Sequence, residues 1–234
     1  MTETFRTPDG REVPAVTAAG MREVDRVAVE EFGLALLSMM ENAGRALAAH
    51  ARQLADGSVT VLAGGGGNGG GGLAAARHLA NRGVPVRVVL DREQRAFEGA
   101  PATQLEVHRR AGTPVEVGQD ALGEPSLVVD ALVGYSLDGP LRGTARDLVA
   151  EVGSLSAPVL SLDVPSGLDA TTGELPGEAV TPDRVVTLAL PKTGIGVADE
   201  LFLADIGIPP AVFDAAGIDY ENPFDADWVR LVAD

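Results

Sequence analysis

The chain contains no cysteine, which excludes disulfides, thiolate nucleophiles and cysteine-ligated metals. Lysine is almost missing as well: Lys192 stands alone, and the remaining basic side chains are arginines. Aromatic residues make up only 4% of the sequence. A core must therefore be built from Ala, Val and Leu, which favours parallel strands and close-packed helices over a β-sandwich. No apolar run approaches the roughly 20 residues that a membrane span requires. The opening Met1-Thr2-Glu3-Thr4 lacks the basic stretch and apolar core of a secretory signal, so a soluble, cytoplasmic protein is expected. Positive charge is in deficit, with 18 basic against 34 acidic residues and a net charge of -16. Such a surface repels phosphate backbones and anionic lipid, which argues against nucleic acid and membrane as partners. A small anionic ligand stays admissible, because N–H groups at a helix start act locally against a distant surface field.

What is present suits one folded domain: 234 residues, 45% of them hydrophobic, are ample for a core. Residues 1–16 are polar and carry Pro8, Asp9-Gly10 and Pro14, so they are expected to form an arm, leaving 17–234 as a single domain. Two helices are expected first, one from Thr17 to about Glu31 and ended by Gly33. The second is opened by a capping box of Ser38 and Glu41, with Met40, Gly44, Leu47 and Ala51 on its buried stripe. Strands and helices alternate from Ser58 onward. Strands are expected at 58–62, 84–90, 114–117, 127–130, 159–162, 185–190 and 201–204, and helices at 73–82, 101–111 and 142–154. Continuous apolar strands separated by helices imply a Rossmann-like three-layer αβα sandwich with a mostly parallel sheet.

The strongest chemical signal is the run from Gly64 to Gly72, interrupted only by Asn68, between a strand and an Ala-rich helix. Glycines there can adopt positive φ and admit a ligand to the main chain, and the helix start attracts an anion. Asn68 either offers its amide to a cation or a ligand oxygen, or merely tolerates a left-handed turn. Asp130 and Asp163 close apolar strands at the end where open α/β sheets place their ligands. Each serves either as a partly desolvated acid or as a simple cap. His50, His78 and His108 show no metal spacing, and His78 suits a helix surface. Lys192 follows a strand on the same side, as a phosphate contact or a solvated lysine.

The glycine run with Leu73 to Leu79, Asp130-Ala131-Leu132-Val133-Gly134, and Asp163-Val164-Pro165-Ser166-Gly167-Leu168-Asp169 together resemble the YjeF N-terminal domain family. Met21-Arg22-Glu23-Val24-Asp25, Met39 to Gly44 and Thr187 to Lys192 are similar to its other motifs, in the same order. The resemblance implies an NAD(P)H-hydrate epimerase, an isomerase that interconverts the R and S epimers at C6 of hydrated NADH or NADPH. It implies a bound potassium ion held by Asn68, Asp130 and Ser166. The substrate would be bound by Gly67, Asn68, Gly69, Gly70, Gly71, Gly134, Tyr135, Ser136, Leu137, Asp138, Gly139, Pro140 and Asp163, with Asp163 as the catalytic acid/base. A homodimer is implied too, with a separate NAD(P)HX dehydratase as metabolic partner. The family's loop reads Asn-Asn-Gly-Gly-Asp-Gly, whereas residues 67–72 here keep one amide and have Gly71 in place of the carboxylate. That departure raises the alternatives of a relative recruited to another small-molecule isomerisation, dehydration or cyclisation, or of a non-catalytic ligand-binding or scaffold module.

Overall fold

The computed structural model describes residues 4–196 and 200–232. Its frame is an eight-stranded sheet whose central strands are mostly apolar and largely buried. They are β3 (Val59–Ala63), β4 (Val86–Leu90), β6 (Leu127–Ala131), β7 (Val159–Leu162) and β8 (Arg184–Leu188), flanked by β5 (Val115–Val117), β9 (Leu201–Ala204) and β10 (Trp228–Leu231). The order is β10-β9-β8-β7-β6-β3-β4-β5. Every pairing is parallel except β10 with β9. The chain runs outward from β3 to β4 and β5, then returns to β6 on the other flank of β3. That reversal creates a crevice at the carboxyl ends of β3 and β6, where such sheets receive ligands.

Side chains alternate along each strand, so successive residues feed opposite layers. Val59, Val61 and Val129 pack under α2 (Leu36–Leu54), α3 (Gly67–Ala80) and α4 (Gly99–Ala111). Leu62, Val89 and Val128 face α5 (Gly143–Val152) on the other side. A further apolar cluster joins α1 (Ala18–Arg26), the π-helical turn Val27–Glu31 and the short α6 (Pro210–Ala215) to β9.

Three expectations need correction. The first concerns the arm. Over its described part, it folds into the domain as an antiparallel hairpin of β1 (Thr4–Arg6) and β2 (Glu12–Pro14), turning at Gly10 with φ +91°. Phe5, Val13, Ala15 and Val16 are buried, so a stretch that looks polar on average still places alternate apolar residues inward. Residues 1–3 lie outside the described part. Val16 then runs beside Lys192, accepting from Thr193 N–H at 3.0 Å and donating to the Pro191 carbonyl at 2.9 Å.

The second is the capping box. The helix starts earlier, at Leu36 after Ala35, with no side-chain cap, and Glu41 instead pairs with Arg77 and His78. The third is the helix expected from Leu73, which already begins at Gly67. Glycine inside a helix costs up to about 1 kcal/mol per residue relative to Ala, and close packing against α2 offsets it. A Cβ on Gly44 would lie 2.5 Å from the Cβ of Ala74, and one on Gly70 would lie 2.6 Å from the sulfur of Met40.

His50 of α2 is fully buried, its ring 4.6 Å from Phe202 and 4.8 Å from Trp228. Arg184 can only donate, so His50 Nδ1 accepts at 3.3 Å and the proton sits on Nε2, which has no partner among the described residues. Burial, reinforced by the Arg184 charge, pulls the imidazole down to about 4. A histidine depressed on folding stabilises fully above its unfolded pKa and loses that stabilisation as pH falls through the folded one. The window is pH 6.5 to about 4, and the full effect is about 3 kcal/mol. Melting temperature should fall less steeply across that window in His50→Gln than in the parent; parallel curves would refute the assignment.

Candidate active site

Four chain segments meet at the crevice. The first is the turn from β3 into α3. A Cβ on Gly64 would sit 2.0 Å from the Leu132 carbonyl oxygen, and one on Gly69 would sit 1.7 Å from the Gly64 oxygen. No residue from Gly64 to Gly72 has positive φ. These glycines serve by lacking a side chain, not by adopting a left-handed backbone, which corrects the expectation. Gly66 is the N-cap and supplies no side chain, so the first-turn N–H groups remain for solvent or ligand. Asn68 stands in that turn with its side-chain oxygen and nitrogen both buried and, among the described residues, both without a hydrogen-bond partner. A buried amide left without partners costs roughly 1–3 kcal/mol.

The second segment follows β6. Asp130 is completely buried and accepts four hydrogen bonds: from Ser166 Oγ at 2.6 Å, Ser161 Oγ at 2.8 Å, Ser166 N at 2.9 Å and Leu132 N at 3.3 Å. Burial pushes its carboxyl up, and those neutral donors oppose the rise. Ser166 Oγ also receives the Val133 N–H at 3.0 Å. Next comes Gly134, where a Cβ would approach Asp163 Oδ2 to 2.9 Å and Asn68 Oδ1 to 3.2 Å. Only glycine lets the acid and the amide face one space.

The third segment ends β7. Asp163 is 3% exposed and sits at φ +65°, inside a tight turn closed by Val164 N–H to the Leu162 carbonyl at 2.9 Å. Ala189, after β8, repeats the device at φ +60°, with Leu190 N–H on the Leu188 carbonyl at 2.7 Å. Left-handed conformations in residues other than glycine cost about 1–3 kcal/mol and concentrate at functional sites. Asp163 Oδ2 receives the Tyr135 N–H at 3.2 Å, and Oδ1 the Leu188 N–H at 3.3 Å.

The fourth segment carries Lys192. It is 1% exposed, its ammonium ion-paired with Asp163 and 2.9 Å from the Leu188 carbonyl. The expectation of a solvated lysine is therefore wrong. The chain's one lysine is a buried counter-charge to the acid, brought there by the turn at Ala189 and the neighbouring Val16.

Most of these groups line a cleft of about 700 Å³, its solvent-open mouth included; Asp130 and Ser166 are not among its lining residues. Gly67, Asn68, Gly71, Gly134, Tyr135, Ser136, Asp163 and Lys192 face it, and Met21, Met39, Met40 and Ile206 give it an apolar wall. Gly69 and Gly70 are packed beneath the cleft, against Gly64 and Met40. Leu137, Asp138, Gly139 and Pro140 are not among its lining residues; the last three are exposed beyond Ser136. One residue that sequence reasoning did not single out joins them. Asp25 of α1 lines the cleft and accepts a hydrogen bond from the Tyr135 hydroxyl. Its spacing from Met21 was the available signal, an acid one turn along an otherwise apolar helix face.

An ion-paired buried acid and, among the described residues, an unpartnered amide lie at the sheet reversal, and the architecture places the chain in the class of Rossmann-like α/β domains. Within that class the chain belongs to the YjeF-related protein N-terminus family, whose model matches residues 36–194. It is 44% identical to an NAD(P)H-hydrate epimerase of Dehalogenimonas lykanthroporepellens, over 98% of this chain and 97% of that one. An NAD(P)H-hydrate epimerase of Truepera radiovictrix is 41% identical, over 93% and 100% respectively. A bifunctional NAD(P)H-hydrate repair enzyme of Salinibacter ruber is 38% identical over 87% of this chain, which spans 42% of that protein. A yeast protein of known crystal structure shares the fold with a TM-score of 0.80 at 24% identity, over 92% of this chain and 99% of that one.

Proposed function

We infer that this chain is an NAD(P)H-hydrate epimerase, an isomerase interconverting the R and S epimers at C6 of hydrated NADH and NADPH. The carrying observation is the buried Asp163–Lys192 pair facing Asn68 across Gly134, in a chain so similar to two epimerases. Epimerisation at a ring carbinol breaks the C6–O bond and remakes it on the other face. Asp163 exchanges a proton with the C6 oxygen as that oxygen leaves or returns, and Lys192 balances its charge in the apolar surround. The N-terminal turn of α3 and residues 134–136 orient the ring. Leu137 to Pro140, on the rim, would meet the remainder of the dinucleotide.

The oxygen donors suit potassium. Asn68 presents an unpartnered buried carbonyl, and Asp130 is a buried carboxyl whose four partners are all neutral. A weakly charged hard cation fits such a set, with Ser166 completing it. Bound there, the ion would supply positive charge that fixes the crevice loops. Purified protein should accelerate exchange between the two hydrate epimers. Potassium should raise its melting temperature, and Asn68→Ala should abolish that increment. No acceleration at ample enzyme and potassium would sink the reading.

A homodimer is favoured by Val29, Phe32, Leu36 and Leu37, whose exposures of 42%, 45%, 42% and 39% form an apolar patch where the first two helices meet. Light scattering should give twice the chain mass, and Phe32→Asp should halve it. The relatives that join epimerase to a repair partner in one chain support a separate dehydratase as metabolic partner, acting on the epimerised product in the cytoplasm.

A further inference from the structure

Among the described residues two carboxyl groups face the cleft, and the mechanism above uses only one. The other is Asp25, which accepts from the Tyr135 hydroxyl. Tyr135 also donates its backbone N–H to Asp163 at 3.2 Å, so one residue ties both acids together. Its ring centroid lies 5.7 Å from Lys192 Nζ. Asp25 is thus built into the same constellation from a different element, α1, while Asp163 comes from the sheet.

Inversion at C6 makes a demand that one acid meets poorly. The oxygen departs from one face of the ring and water returns on the opposite face, so a proton donor is needed on one side and an acceptor on the other. The geometry points to Asp25 and Tyr135 as a second acid–base station, serving the ring face opposite the one served by Asp163 and Lys192. This rests on the epimerase reading.

The local chemistry suits a relay. Burial pushes the Asp25 carboxyl up, the Tyr135 hydrogen bond and the Lys192 charge oppose this, and the Asp163 charge adds to it. Burial, and then the Asp25 charge, hold the Tyr135 phenol far above its ordinary range, with Asp163 adding and Arg22 opposing. The phenol therefore passes a proton on and does not persist as phenolate. With Asp25 protonated, its proton moves to the phenol oxygen as the phenol proton moves to the C6 oxygen. The C6–O bond breaks, its electron pair leaving on the oxygen as water, and the ring-nitrogen lone pair closes a C=N bond. A solvent water adds to C6 from the other face and gives its proton to Asp163. Exchange with solvent resets both acids, and the reverse reaction swaps the stations.

Heavy-oxygen water tests this directly, using each purified epimer with the parent, Asp25→Asn, Tyr135→Phe and Asp163→Asn. Asp25→Asn and Tyr135→Phe should lose about 10²–10⁴-fold in kcat, with KM within about threefold. Both should still exchange the C6 oxygen of one epimer without inversion, while Asp163→Asn exchanges only the other. Tyr135→Phe keeps the ring packing, so it carries the test if Asp25→Asn does not fold. Parental epimerisation in both variants, or exchange lost for both epimers together, overturns the second station while leaving the epimerase reading intact. An inactive parent overturns both.

Discussion

Replacing Lys192 with methionine should cut kcat/KM by at least about a thousandfold, roughly 4 kcal/mol of transition-state stabilisation. Methionine matches the length of the aliphatic stem, so the packing survives and the charge alone is lost. Asp163 is then left buried at 3% exposure with no cation beside it. Breaking one side of a buried pair typically costs about 3–5 kcal/mol, because an uncompensated charge stays behind. Relaxation and water entering from the open cleft relieve part of that cost, but they do not restore the charge balance that proton exchange needs. Melting temperature should therefore fall less than activity does. In the double variant with Asp163→Asn the two losses should not add, since the pair acts as one unit. A Lys192→Met enzyme within tenfold of the parent would show that the ammonium is only structural.

The largest stability effect is expected at Gly69. An alanine Cβ would lie 1.7 Å from the Gly64 carbonyl oxygen and 2.6 Å from its carbon, both main-chain atoms that cannot swing aside. The turn from β3 into α3 must reopen, so Gly69→Ala should cost at least about 4 kcal/mol, at the severe end for single substitutions. Two residues earlier the sign reverses. Gly67 has nothing within 4 Å of a built Cβ and occupies the first turn of the same helix. Gly67→Ala should gain up to about 0.5–1 kcal/mol from backbone entropy alone. Denaturant midpoints of the two variants check both; equal shifts would mean that helix propensity, not close approach, governs the glycines.

Those glycines show where sequence reasoning stops. Their position between an apolar strand and an Ala-rich helix placed the crevice correctly, because both elements announce themselves through residues adjacent in the chain. Which of them would be helix and which loop depended on a neighbour, α2, that lets the chain wind from Gly67 only because Gly44 and Ala43 bring it close. Similarly, the leader reads as polar on average, and its inward Phe5 and Val13 matter only once β1 and β2 pair across the turn at Gly10. The short α6 and β10 carry little periodicity of their own and escaped notice; they form where the chain folds back onto β9.

The sequence by itself determined the strand-and-helix order from β3 to β9, the mostly parallel sheet, the family, and the two aspartates that close apolar strands. All of these rest on local periodicity or on motifs short enough to read along the chain. Tertiary structure alone decided the chemistry between side chains. Lys192 reaches Asp163 across 29 positions, and Tyr135 reaches Asp25 across 110. A lysine's sequence says nothing of the acid it will face or of the water it will lose. Only the turns at Asp163 and Ala189, closed around a buried crevice, turn a solvent-facing charge into an internal one.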